Sequence, residues 1–482
     1  MTDFTRRRFL EKSMIATTAA LAAGPRASLF AAEESRPASA NDKLSVAIIG
    51  VNGRGRSHIG SALGKANCEI THICDPDSNI GQRRASEIAE KQGKAPKFEQ
   101  DMRRIFDDPS VDIVTCATPN HWHALCSIWA MQAGKDVYVE KPVSHNVSEG
   151  RRMVEAARKH GRICQTGTQI RSLAGTREAI EFIHSGGIGD VKVARGTCYK
   201  RRNSIGSAQP SDVPEGVDYD LWLGPAPVWE FTRNRFHYNW HWNFNTGNGD
   251  LGNQGIHQMD VARWGLGLTD LGRGVYAYGG RYGYVDDGNT PNTMVSMHDY
   301  GDKLLIFEVR GLKTDSLRGA MVGNVFYGSE GYVVMTSYDR GAAFDLDGNQ
   351  TREFSGGGDH FGNFLDAVAQ RDHAVLNADI EEGHLSSALC HLGNISYLLG
   401  DRVSPSAASE ALGNNGESRD SFERFQTHLA ENEVDLTADQ IQLGAKLEVD
   451  GKNETFRASD QADAMLTRDY RAPYIVPDSG QV

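Results

Sequence analysis

The chain has 482 residues, of which 24% are charged, and a formal net charge of −12 at neutral pH. That acidic surplus excludes nucleic acid as a natural partner, and a length of this order predicts two or three domains rather than one core. The seven cysteines, Cys68, Cys74, Cys116, Cys126, Cys164, Cys198 and Cys390, are odd in number, lie in apolar stretches and lack metal spacing. They read as buried thiols, not a disulfide framework.

The chain opens with Thr5-Arg6-Arg7-Arg8-Phe9-Leu10, followed by an apolar run from Met14 to Ala23 that is too short to span a bilayer. This predicts a twin-arginine signal peptide over residues 1–32, with cleavage near Ala32, and a periplasmic or otherwise exported protein. Without residues 1–32 the chain loses five basic and two acidic residues and carries about −15. Residues 33–42 (EESRPASAND) form a polar linker or arm.

Leu44, Val46, Ala47, Ile48 and Ile49 then make the nearly unbroken apolar run of a strand buried on both faces. The turn Gly50-Val51-Asn52-Gly53-Arg54-Gly55 follows, leading into a helix whose free N–H groups suit a pyrophosphate. Asn52 stands where the dinucleotide fingerprint usually has its second glycine, with Gly53 beside it to relieve the crowding. Asp75, 20 residues after Gly55 at the end of a second strand, is placed to accept hydrogen bonds from an adenosine ribose. Its charge repels a 2′-phosphate, which favours NAD over NADP, although Arg54 or Arg83 could neutralise such a phosphate. Because the twin-arginine route carries folded proteins, a cofactor bound before export can travel with its enzyme, and it is expected to be tightly held.

Further strands are expected at Val111–Cys116, Val137–Glu140 and Arg162–Cys164, with helices between them. Residues 43–165 therefore read as an α/β dinucleotide-binding Rossmann domain with a doubly wound parallel sheet. From Val191 strand follows strand, at Val191–Tyr199, Gly274–Tyr284, Thr293–Met297, Lys303–Val309 and Tyr332–Met335. This predicts an α+β domain over residues 166–400, built on an open, mainly antiparallel sheet. Helical periodicity appears at Gly255–Trp264, Phe361–Val368 and Gly383–Leu399, and residues 401–482 read as an extension packed on the core. No internal repeat or membrane span is visible.

Tyr238-Asn239-Trp240-His241-Trp242-Asn243 has the composition of a carbohydrate platform, with flat rings for stacking and amides and imidazole for paired hydrogen bonds. Tyr238, Trp240, His241 and Trp242 are candidate sugar contacts. His237 and His241 have metal-pair spacing, but the aromatics between them and the absence of a Glu-x-x-His pattern point away from a metal site. Lys200-Arg201-Arg202 at a strand end suits either an acidic substrate group or a solvated basic edge.

Three further motifs complete the reading: Ala117-Thr118-Pro119-Asn120-His121-Trp122-His123, Glu140-Lys141-Pro142, and Gly249-Asp250-Leu251-Gly252-Asn253-Gln254-Gly255-Ile256-His257-Gln258-Met259-Asp260. With the fingerprint, they make residues 43–400 resemble the glucose-fructose oxidoreductase, inositol dehydrogenase and rhizopine-catabolism family of NAD(P)-dependent sugar oxidoreductases. The resemblance implies that Lys141 contacts the nicotinamide ribose and a substrate hydroxyl, with Glu140 beside the cofactor. It implies that Thr118, Pro119, Asn120 and His123 border the nucleotide. A lysine at the end of a parallel strand points into the ligand crevice independently of any family, and burial lowers its pKa toward proton transfer. Pro142 is expected to fix the backbone, with a cis bond as one way of doing so.

The family places an aspartate four residues before a histidine, on one helix face. Here those positions hold Asn253 and His257. His257 is the candidate acid–base, whereas Asn253 can orient substrate or imidazole but carries no charge. A proton relay then needs Lys141, His257 or another carboxylate such as Asp250 or Asp260. Gln169 and Arg171 resemble the family's site-edge strand and are candidate cofactor or substrate contacts.

The expected activity is oxidation or reduction of a secondary alcohol on a sugar or glycoside with captive NAD, NADP not being excluded. One alternative is an NAD-dependent glycosidase working by transient oxidation and elimination. Another is a non-catalytic sugar-binding protein on the same fold, favoured by Asn52 and Asn253. The resemblance also implies a homodimer or homotetramer formed through the sheet face.

Overall fold

The computed structural model describes residues 43–413, 416–437 and 440–482. The expected signal peptide and arm lie outside the described residues. Six parallel strands form the first sheet: β1 (Leu44–Ile49), β2 (Cys68–Cys74), β3 (Lys97–Glu99), β4 (Ile113–Cys116), β5 (Asp136–Val139) and β6 (Cys164–Thr166). Their order is β3-β2-β1-β4-β5-β6, so the winding reverses between β1 and β4. Ligands bind outside the carboxyl ends of strands at such a switch point. Val46, Ala47 and Ile48 of β1 are fully buried, as a central parallel strand requires.

The crossovers are α1 (Gly55–Leu63), α2 (Ser78–Gln92), the short α3 (Arg103–Phe106), α4 (Asn120–Gln132) and α5 (Val147–Lys159). Asp77 caps α2 by accepting from Asn79 N, and Asn146 caps α5 by accepting from Glu149 N. After α6 (Ala174–His184) the chain enters the second sheet.

That sheet holds β7 (Val191–Tyr199), β8 (Gly274–Gly280), β9 (Thr293–Asp299), β10 (Leu304–Arg310), β11 (Val322–Gly328), β12 (Gly331–Met335), β13 (Arg340–Asp345), β14 (Gln350–Ser355), β15 (Asp401–Val403) and β16 (Ile441–Leu443). Their order is β14-β13-β12-β11-β7-β10-β9-β8-β16-β15, antiparallel except for the β7–β10 pair. Between β7 and β8 lie the short α7 (Tyr219–Leu223), α8 (Gly249–Gly252) and α9 (Gly255–Gly265). One sheet face packs on α9 and on the long α11 (Ile380–Leu398), where Ile256, Met259, Ala262, Leu389 and Leu392 meet Phe307 and Phe326. Helix α10 (His360–Gln370) packs instead under the first sheet.

The other sheet face is covered over β8–β10 by α12 (Pro405–Leu412) and α13 (Gly416–Glu431). Leu412, Phe422, Phe425 and Leu429 are buried there against Tyr278, Val295, Met297 and Ile306. Within this layer Glu308 accepts from Arg195 (3.0 Å) and Arg424 (2.8 Å). Burial alone would raise its carboxyl, but the two guanidiniums, Arg424 foremost, hold it down at about 2. The extension thus occupies part of the sheet face through which self-association is expected. Over β11–β13 the aromatic side chains Tyr327, Tyr332 and Phe344 remain half-buried.

All seven cysteines are buried free thiols. Among the described residues no helix is long and apolar enough to cross a membrane.

Candidate active site

The glycine turn closes tightly on β4. Gly50 has φ +80°, and a Cβ there would stand 2.7 Å from Ala117 O; a Cβ on Gly55 would stand 1.9 Å from Gly50 O. These approaches draw the α1 N-terminus and the Ala117–Thr118 backbone around one cradle. Gly53, beside Asn52, faces open space: a Cβ there would meet no atom within 4 Å.

Asp75 is buried at the end of β2 and accepts from Val51 N (3.0 Å) and Asp77 N (3.1 Å). Burial raises its carboxyl to about 6 even though these two N–H bonds pull the other way. A cavity of about 500 Å³ runs from Asp75, Pro76 and Gln100, past Gly50, Asn52, Gly53, Arg54, Thr118 and Pro119, to Glu140, Lys141 and Asn253. A dinucleotide fits this outline: an acid for ribose hydroxyls at one end, an amide-lined turn in the middle, and a lysine at the other end. Arg54 lies at the lysine end, with Nε 2.6 Å from Glu140 Oε1. Its charge is committed there, leaving Asp75 to favour NAD.

Glu140 and Lys141 follow β5, and the Lys141–Pro142 bond is cis. Burial would raise Glu140, but Arg54 and the His58 imidazole (3.1 Å) carry it well below the usual carboxylate range. Lys141 is depressed below the usual lysine range, foremost by burial and against the pull of Glu140. Its Nζ donates to Asn253 O at 2.8 Å.

That bond explains a departure from the expected single helix carrying Asn253 and His257. Helix α8 ends at Gly252 and α9 begins at Gly255, while the His257 N–H turns to Gln254 O (3.3 Å). The Asn253 carbonyl is thereby released from the helical ladder to receive Lys141. His257 lies in the first turn of α9, outside the cavity wall that Asn253 joins, 3% exposed, with Nδ1 enclosed and without a hydrogen-bond partner. Burial, then the nearby Lys141 charge, hold its imidazole well below the ordinary range. A neutral ring suits it to accept a proton.

The two carboxylates considered as relays are otherwise engaged, which corrects that expectation. Asp250 is gripped by Arg202 (2.6 and 2.7 Å), and Asp260 by Arg171 (2.8 Å twice) and Ser386 (2.7 Å). The same pairing engages the guanidinium of Arg171, which does not line the cavity. Gln169 also lies outside the cavity wall, half-buried with Oε1 unpaired.

Asn120 and His123 do line the cavity. Asn120 Nδ2 donates to Asn248 Oδ1 (2.8 Å), and His123 lies between Pro142 O (2.6 Å) and Thr118 O (2.8 Å). The imidazole thus ties the α4 loop to the lysine strand.

The aromatic segment closes over this cleft. Phe236, His237, Tyr238, Trp240 and His241 line it, with Leu221 and Trp222 from α7. Trp240 and His241 stack at 3.5 Å, and His237 pairs with Asp77 at 3.4 Å, so the two histidines take separate partners. Trp242 is buried instead, beneath the Arg202 guanidinium at 4.8 Å, and is not in the wall. The segment is fastened to the first domain through Ser78 N–Gly216 O (2.9 Å), Asp218 N–Pro76 O (2.8 Å) and Trp122 Nε1–Leu221 O (2.9 Å).

Several residues at the site carry no sequence signal that marks them. Arg468 in the C-terminal extension donates to Asn245 O and Oδ1 (3.0 Å each), and Arg471 donates to Gly224 O (3.0 Å) and Asp220 O (2.8 Å). Tyr338, in the turn after β12, packs its ring on His257 with centroids 5.1 Å apart.

Residues 44–168 match the oxidoreductase family, NAD-binding Rossmann fold, and residues 186–272 match the oxidoreductase family, C-terminal alpha/beta domain. The chain is 29% identical to the levoglucosan dehydrogenase of Pseudarthrobacter phenanthrenivorans over 185 residues, 38% of this chain and 40% of that protein. It is 28% identical to a glycosyl hydrolase family 109 protein of Saccharopolyspora erythraea over 207 residues, 40% of this chain and 45% of that protein. The matched stretches thus span less than half the length of these curated relatives. Among solved structures, levoglucosan dehydrogenase in complex with NADH and levoglucosan superposes with a TM-score of 0.55 at 20% identity, covering 73% of this chain and 96% of that one. The WlbA dehydrogenase from Bordetella pertussis, in complex with NADH and UDP-GlcNAcA, gives 0.54 at 18% identity, covering 73% and 95%. With both domains matched in order, the chain belongs to the glucose-fructose oxidoreductase, inositol dehydrogenase and rhizopine-catabolism family of oxidoreductases, and its N-terminal domain is the family's NAD-binding domain.

Proposed function

We propose that this protein oxidises or reduces a secondary alcohol of a sugar or glycoside with an NAD that stays bound through turnover. The observation that carries this reading is the convergence of a half-buried Lys141 and Asn253 with a wall of Tyr238, Trp240 and His241 in the cavity that begins at Asp75. Asp75 would hold the adenosine ribose, the Gly50–Gly55 turn the pyrophosphate, and Lys141 the nicotinamide ribose. Bound there, the nicotinamide supplies hydride acceptance and return. The chain supplies the remainder: aromatic faces and amides orient the sugar, the closed aromatic segment excludes water, and His257 accepts the hydroxyl proton. Lys141, with one N–H committed to Asn253 O, keeps two donors for substrate and ribose oxygens.

The segment over residues 214–246 and the tail arginines that clasp it support a captive nucleotide. A captive nucleotide in turn suits export by the twin-arginine route, with function in the periplasm. Self-association would use the part of the sheet face around Tyr327, Tyr332 and Phe344, where these aromatic side chains are only half-buried.

The test is turnover of the purified protein with a panel of glycosides, followed by the near-ultraviolet absorbance of reduced nicotinamide. The expected result is that at least one sugar changes that band and that Lys141→Ala still binds nucleotide but loses the response. The absence of a response with every sugar in the wild-type protein would overturn the reading in favour of a binding protein. Similarity to a glycosyl hydrolase family 109 protein favours one second reading, cleavage by transient oxidation and elimination. Release of an aglycone with no net change in the bound nucleotide would identify it.

A further inference from the structure

We infer that Tyr338 is a catalytic residue of this site, its phenol O–H donating to the oxygen of the carbon that is oxidised or reduced. The inference rests on the hydride-transfer reading above and concerns a residue that lies outside every motif of the chain.

Tyr338 is carried in from the far end of the second sheet by the turn between β12 and β13, and the turn is held firmly. Thr176 Oγ1 donates to Tyr338 O (2.6 Å), Ser337 Oγ to Asp339 Oδ1 (2.8 Å), and Thr336 N to Arg340 O (3.0 Å). The ring lies against the His257 imidazole at 5.1 Å, tilted by 50°. The phenol oxygen accepts from Gln254 Nε2 at 2.6 Å. With the oxygen engaged as acceptor, its own proton must point elsewhere, and among the described residues none accepts it. Arg54 and Glu140, which line the cavity beside Lys141, act electrostatically on the phenol, so Tyr338 stands near that end of the cavity although its side chain is not part of the wall.

The chemistry needs such a donor. Oxidation of a carbinol breaks a C–H bond and an O–H bond: the hydrogen on carbon departs with two electrons as hydride to the nicotinamide, the hydroxyl proton goes to His257, and C–O becomes C=O. If the proton moves ahead of the hydride, the oxygen carries negative charge. Asn253 is neutral, and Asp250 and Asp260 are locked on Arg202 and Arg171. Lys141, the Asn253 amide and the Tyr338 phenol are then the donors available to that oxygen, with Gln254 fixing the phenol and the Tyr338 ring packed on His257.

The test is Tyr338→Phe in the full-length, nucleotide-loaded protein, which keeps the ring on His257 and removes the hydroxyl. Loss of one donor to a developing oxyanion lowers kcat about 100-fold. The KM for sugar, the nucleotide dissociation constant and the melting temperature are expected to stay near wild type. Tyr338→Leu, which also removes the ring from His257, is expected to lose at least as much kcat and some thermal stability. Wild-type kcat in Tyr338→Phe would overturn the proposal, as would a fall in kcat matched by loss of nucleotide affinity and stability. If the wild-type protein itself transfers no hydride to or from any sugar, the functional reading fails together with this one, an outcome distinct from an active wild type with an equally active Tyr338→Phe.

Discussion

Replacing Asp75 by Asn probes the nucleotide site most sharply, because both carboxylate oxygens already have backbone partners. Oδ2 takes Val51 N–H and Oδ1 takes Asp77 N–H. An amide keeps one of these bonds and presents an NH₂ group to the other N–H, leaving a buried donor unmatched, and it cannot offer ribose hydroxyls a charged acceptor. Hydrogen bonds to a charged group contribute about 1.5–3 kcal/mol. A loss of about 2 kcal/mol weakens NAD binding about 30-fold. The sign of the pH effect follows from burial. The Asp75 carboxyl is raised to about 6, and ribose hydroxyls donate to its ionised form. NAD affinity in the wild-type protein should therefore fall about tenfold between pH 7 and about pH 5. In the ligand-free protein the raised pKa means that ionisation opposes folding, so this group's contribution to stability declines as pH rises from about 4 to about 6. Calorimetric titration of the stripped wild-type and Asp75→Asn proteins with NAD at both pH values measures the first two quantities, and denaturant unfolding of the ligand-free proteins between about pH 4 and about pH 6 measures the third. Wild-type affinity in Asp75→Asn, or an equal pH dependence in the two proteins, would refute the reasoning.

His257→Gln should lower turnover at least 100-fold, the scale of general acid–base catalysis, while nucleotide affinity holds, as read by steady-state kinetics and fluorescence titration. The double change Arg468→Ala and Arg471→Ala removes five bonds from the extension to Asn245, Gly224 and Asp220. It should speed nucleotide release at least tenfold in a stopped-flow displacement assay; an unchanged release rate would mean that the tail does not hold the segment shut. Phe425→Ala should destabilise the protein by about 3–5 kcal/mol in thermal or denaturant unfolding, since the ring is buried against Tyr278 and Phe422.

Much of this organisation is legible in the residues. The apolar run Leu44–Ile49, the turn at Gly50 and the spacing to Asp75 depend on short-range rules, and they delineate the first domain and one end of the cleft. Val191–Tyr199 coincides with β7 because its apolar content is dense enough to mark a central strand. The strands β11, β13 and β14 are not visible in the sequence: Gln350–Ser355 is the exposed edge strand with Phe354 as its one buried residue, Arg340–Asp345 beside it is centred on Gly341, Ala342 and Ala343, and Val322–Gly328 is interrupted by Gly323 and Asn324. The break between Asn253 and His257 was hidden for a different reason. It is made by Lys141, 112 residues away, which takes a carbonyl that the helix would otherwise use. Nothing in the sequence reveals that Asp260 faces Arg171. Tyr338 and the tail arginines act through long-range docking onto the site, and their local sequence resembles ordinary turns and polar extension.

The most direct test of the central claim is the nucleotide carried by the purified protein after exhaustive desalting, identified by mass and followed optically as glycosides are added. The account requires close to one NAD(H) per chain whose redox state changes with a sugar and returns with a second substrate. A protein that retains no nicotinamide nucleotide, and binds none when it is supplied, would contradict it.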